Sequence, residues 1–136
     1  MYPSGSPHRA EVEALRRRAA ELLELAGEAP RMGNYDVSCF LAEQAVQLHL
    51  KSVLLERVGD YPRTHSIRTL LSEISKIIED EKVKELSQKN GARLIALEDA
   101  YIIAKYTPTT YTKDDAEDLF SLAKEIIVPT SEVQQR

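Results

Sequence analysis

Val37-Ser38-Cys39-Phe40-Leu41-Ala42-Glu43-Gln44-Ala45-Val46-Gln47-Leu48-His49-Leu50-Lys51-Ser52-Val53-Leu54-Leu55-Glu56-Arg57-Val58 carries apolar side chains around most of a helical circumference. The run is far longer than a strand of about 5–6 residues. Asn34 or Asp36 can cap it in front and Gly59 can end it behind, so the spacing predicts one long helix. A helix that is apolar nearly all round lies at the centre of a helical core. Gln44, Gln47, His49 and Lys51 are its polar exceptions. A central helix must satisfy such groups, expose them in a groove, or bury them at a subunit contact.

The flanking segments repeat the helical period. From Arg9, the residues Val12, Leu15, Ala19, Leu22 and Ala26 form one stripe, with Gly27 as its stop. After a cap at Thr64 or Ser66, a second stripe runs through Ile67, Leu70, Leu71, Ile74, Ile77 and Ile78. From near Asp80 the pattern continues with Val83, Leu86, Leu94, Leu97 and Tyr101, and Ile95, Ile102 and Ile103 widen the face. Asn90-Gly91 is a turn signal that divides this stretch into a short piece and a longer one ending at Tyr106. Thr112 with Asp115 resembles a capping box, followed by Ala116, Leu119, Phe120, Ala123, Ile126 and Ile127; Pro129 closes the stretch. The expectation is an all-α, up-and-down bundle of about five helices. It forms a single domain over residues 9–128, with a flexible leader at 1–8 and a tail at 129–136.

Composition excludes several classes. With 43% hydrophobic and 29% charged residues the chain is not a disordered tail. No apolar run reaches the roughly 18–20 residues of a membrane span, and no signal-peptide core is seen. One cysteine permits no internal disulfide and fits a reducing compartment, so a cytoplasmic location is expected. A net charge of -4 argues against non-specific coating of DNA but not against a local basic patch. Phosphate-loop and dinucleotide-binding glycine motifs are absent. His8, His49, His65 and Cys39 show no metal-ligand spacing, so neither metal nor cofactor is expected. Cys39 lies in the first turn of a helix, where a thiol can be activated, but its neighbours Val37, Phe40 and Leu41 favour packing.

One region departs from the average. Residues 51–70 carry Lys51, Arg57, Arg63 and Arg68 against Glu56 and Asp60, with His65 among them. Free N–H groups at a helix start and guanidinium forks both suit phosphate oxygens, and His65 can add a donor. The competing reading is a histidine that caps or packs at a helix start among exposed arginines.

Three separated motifs carry a family likeness. Cys39 to Leu55 resembles the signature helix of HEPN-domain proteins (higher eukaryotes and prokaryotes nucleotide-binding). Pro62-Arg63-Thr64-His65-Ser66-Ile67 with Leu70-Leu71 resembles that family's next motif. Glu98-Asp99-Ala100-Tyr101 and Lys105-Tyr106-Thr107-Pro108, followed by Tyr111-Thr112 and Asp115-Ala116, resemble its third. The likeness runs along residues 10–128. It implies a helical bundle that commonly dimerises, a link to nucleotides or RNA, and a gene beside a minimal nucleotidyltransferase, sometimes as a toxin–antitoxin pair. Many such proteins are metal-independent ribonucleases marked by an Arg, four to six residues and a His late in the chain. Here the last histidine is His65; seven residues separate it from Arg57 and one from Arg63. The catalytic pair is therefore not carried over.

The leading expectation is a non-catalytic, nucleotide- or RNA-associated homodimer, working with a nucleotidyltransferase subunit. Its candidate ligand residues are Arg63, His65, Arg68, Gln44, Gln47, Lys51, Lys105 and Tyr106. The alternatives are a ribonuclease with a non-standard active site and a bundle used only for protein contacts.

Overall fold

Every predicted segment is helical, and the described residues contain no strand: α1 (Arg9–Glu28), α2 (Tyr35–Val58), α3 (Ile67–Ile77), α4 (Glu81–Lys89), α5 (Gly91–Tyr106) and α6 (Lys113–Gln134). The computed structural model describes residues 8–134, so the expected leader falls, His8 apart, outside the described residues. The break at Asn90-Gly91 separates α4 from α5, which makes six helices rather than five. A 3-10 turn, Ala29–Met32, links α1 to α2.

The central position of α2 follows from its composition. It packs against α1, α3, α5 and α6, and its Cys39, Ala42, Val46, Leu50 and Val53 are fully buried. The core is completed by Ile67, Leu70, Leu71 and Ile74 of α3, Leu94 and Leu97 of α5, and Leu119, Leu122 and Ile126 of α6.

Local chemistry sets the helix ends. Ser66, not Thr64, caps α3: its hydroxyl accepts from the Thr69 N–H at 3.1 Å. Asp80 caps α4 through the Lys82 and Val83 amides. Thr112 and Asp115 exchange the two bonds of a capping box, at 2.9 and 3.1 Å. Gly33 and Gly59 take the left-handed conformation that turns the chain out of its helix, with φ of 76° and 82°.

Four expectations are corrected. Gly27 is no stop, because α1 continues to Glu28. A Cβ there would lie 2.8 Å from Phe120 Cζ, so the glycine makes room for a ring from α6. Asp36 does not cap α2; its carboxylate accepts from the Tyr111 N–H at 2.7 Å and ties down the segment before α6. Ile77, Ile95 and Ile102 point outward rather than widening the core. Pro129 does not end the last helix, which runs on to Gln134. An interior proline costs about 3 kcal/mol relative to alanine. Burial of Thr130 and Val133 and hydrogen bonds from α2 offset that cost.

Candidate functional site

Two polar groups of α2 are structural. His49 is buried, and its Nε2 lies 2.9 Å from Thr130 Oγ1 on α6. Burial, aided by the charge of Arg16, lowers its pKa to about 4, so the ring is neutral near pH 7. Cys39 is also buried. Burial first, then Asp115 and Asp36, raise its thiol to about 12, which rules out an activated nucleophile.

Gln44, Gln47 and Lys51 lie along one side of α2, in line with Phe40. Residues 40, 44, 47 and 51 follow the i, i+4, i+7, i+11 spacing that stacks side chains on a helix. Beside this row, and missed by the sequence reading, Glu43 is fully buried. One of its carboxylate oxygens accepts from Gln44 Nε2 at 2.7 Å, and the other accepts from Gln47 Nε2. The Gln47 carbonyl in turn accepts from Lys51 Nζ at 3.3 Å. Burial pushes the Glu43 carboxyl up to about 7, against those hydrogen bonds and the pull of Lys51. Its position carried a signal, because residues 39, 43, 46, 50 and 53 form one stripe. Glu43 is the charged member of an otherwise apolar row.

The loop 59–66 brings a second set of groups over this row. Lys51 Nζ is 5.5 Å and Arg63 Cζ 4.9 Å from the centre of the Tyr61 ring. Neither cation has a carboxylate partner among the described residues. Burial lowers the pKa of Lys51; Glu43 opposes this and Arg63 adds to it. Further along, His65 stacks on Tyr101, with centroids 4.1 Å apart and planes at 22°. Lys105 Nζ lies 5.1 Å from the Tyr101 and Tyr106 rings and 5.6 Å from Phe40. Cations and aromatic rings thus alternate along the loop and the end of α5.

Arg68 is engaged elsewhere. Glu98 of α5 reaches the first turn of α3. Its Oε1 accepts from the Arg68 N–H at 2.8 Å, Arg68 Nε at 3.1 Å and Ser66 Oγ at 3.0 Å. Burial works against ionised Glu98, but the bonds from Arg68 and Ser66 keep its pKa below the usual value. The helix start considered for phosphate therefore already holds a carboxylate of the chain itself. Of the residues considered for a ligand, Gln44, Gln47, Lys51 and Arg63 come together, His65, Lys105 and Tyr106 form the adjoining aromatic group, and Arg68 stands apart.

No helix among the described residues is long and apolar enough to cross a membrane. No curated protein matches the chain. Among solved structures it is similar to TT1696 from Thermus thermophilus, with 26% identity over 89% of this chain and 96% of that one and a TM-score of 0.75. It shares its fold with ST0689, an archaeal HEPN homologue, at 24% identity over 90% and 97% of the two chains and a TM-score of 0.69. The HEPN domain model matches residues 12–133, nearly all of the bundle described above, and the chain belongs to the HEPN-domain family.

Proposed function

We propose that the chain is a non-catalytic, nucleotide- or RNA-associated homodimer of the cytoplasm, paired with a minimal nucleotidyltransferase in a toxin–antitoxin arrangement. One observation carries the ligand half: Lys51 and Arg63 share the Tyr61 ring, and neither forms a direct salt bridge among the described residues. Two cations on one ring, outside any direct salt bridge, suit phosphate, and the adjoining rings of Tyr101 and Tyr106 suit a stacked base. The non-catalytic half is supported by His65, which stands at neither ribonuclease spacing.

The homodimer is supported by the outer face of α5. Ile95 and Ile102 are 43% and 50% exposed and lie in one row, seven residues apart. A second copy laid on that row would cover them in an isologous contact.

A titration with short RNA and with nucleotides at low salt tests the ligand reading. Arg63→Ala should weaken binding about tenfold or more, as expected on losing a charge-assisted contact of about 1.5–3 kcal/mol. Arg17→Ala on α1 should change little, and affinity should fall as salt rises. Absence of binding at low salt, or an Arg63→Ala protein that binds as tightly, overturns it. In sedimentation the unmodified protein should run as a dimer and Ile102→Glu as the 15.3 kDa chain. A monomeric unmodified protein removes the homodimer.

A further inference from the structure

Glu43 is buried about two turns along α2 from Lys51, and the charged groups acting on it are Lys51 on its own helix and Glu98 on α5. Glu98 is already held by Ser66 and Arg68, so Lys51 is the cation that offsets the charge of Glu43. Gln47 links the two. Its amide N–H donates to the Glu43 carboxylate and its carbonyl accepts from the Lys51 ammonium. This ladder is polarised in one sense and is strongest when Glu43 is ionised. An anion arriving between Lys51 and Arg63 competes with Glu43 for the same ammonium and adds a like charge near a buried carboxylate. The arrangement that relieves both costs is a protonated Glu43.

We propose that anion binding at Lys51 and Arg63 is coupled to proton uptake by Glu43, so that this buried carboxyl tunes the groove to pH. The inference rests on the reading of that pair as an anion site. The proton comes from solvent onto a carboxylate oxygen of Glu43, and no bond of the ligand changes. Burial holds that carboxyl near 7, which puts the exchange around neutral pH.

The probe is an oligouridylate without a terminal phosphate, whose charge stays constant across about pH 5.5–7.5, so that any proton linkage belongs to the protein. Both proteins compared carry His65→Gln, which takes that imidazole out of the proton count. Affinity should fall at least about fivefold from the acid to the alkaline end, the lower bound of ordinary coupling between sites. Adding Glu43→Gln should flatten the profile at the acid-side affinity. Calorimetry of the Glu43 protein in two buffers of different ionisation enthalpy should show net proton uptake at neutral pH, and this needs no change at Glu43. A flat profile with Glu43 present, an unchanged slope after Glu43→Gln, or no proton uptake overturns the coupling and leaves the anion site standing. Absence of binding at every pH, or binding that Arg63→Ala does not weaken, overturns the site and the coupling with it.

Discussion

Removing residues 129–136 will destabilise the bundle by about 2.5–6 kcal/mol, combining a buried valine at about 1.5–3 with a buried histidine that loses its partner at about 1–3. Val133 is 1% exposed and packs in the core. Thr130 supplies the hydroxyl beside His49, and the Val133 carbonyl accepts from Arg57 at 2.7 Å. The companion variant Pro129→Ala in the full chain should be more stable than the parent, because the helix already continues past the proline and only its missing N–H is restored. Urea unfolding of the three proteins at neutral pH gives both numbers. A truncation cost below about 0.5 kcal/mol, within the range of ordinary surface changes, would mean that these residues are a passive tail.

The second large effect is a pH profile. Glu43 has its pKa raised by burial from 4.5 to about 7, so the folded state holds its proton more tightly than the unfolded chain does. Stability from this group is complete below pH 4.5 and is lost as pH rises through 7. His49 acts in the opposite sense. Its pKa is lowered from 6.5 to about 4, so stability is complete above pH 6.5 and is lost as pH falls through 4. Each contribution is about 3 kcal/mol across its window. In the unmodified protein the two slopes oppose each other and nearly cancel between pH 4.5 and 6.5. Glu43→Gln removes one of them. The variant should gain about 3 kcal/mol between pH 4 and 6.5 relative to the parent's trend. The change of slope is the test, since a constant offset from the new amide does not alter it. Parallel profiles for variant and parent would show that Glu43 keeps its ordinary acidity in the fold.

The period and order of the helices are legible because most of them bury a single face. In α3, Ile67, Leu70, Leu71 and Ile74 could only point one way, and Ser66, Asp80 and the Thr112–Asp115 pair announced the helix starts. The outer face of α5 was illegible for the opposite reason. Its apolar residues surround the helix, so no period distinguishes buried Leu94 from exposed Ile95. Pro129 was read by local propensity, which tertiary contacts from α2 overrode. At the site, Arg63, Lys51 and Gln47 were found by charge and polarity along the chain. Charge alone does not distinguish Glu43 from the other acids of the chain; its place on the stripe with Cys39, Val46 and Leu50 is what marks it as buried. Arg68 was grouped with Arg63 because they are neighbours in sequence. Its engagement depends on Glu98, thirty residues away, which nothing local to α3 reveals.

The Glu98 clasp has a thermodynamic consequence for the loop it anchors. Gly59 secures one end of residues 59–66 with its left-handed turn, and the bonds from Ser66 and Arg68 to Glu98 secure the other. Fixing a backbone residue costs about 1–2 kcal/mol of conformational entropy, and in this loop folding meets much of that cost before any ligand arrives. Tyr61 and Arg63 therefore stand over Lys51 in the free protein, and a ligand entering between them meets a preorganised wall. Loosening the clasp through Glu98→Ala would act as an entropic tax on binding at a residue the ligand never touches.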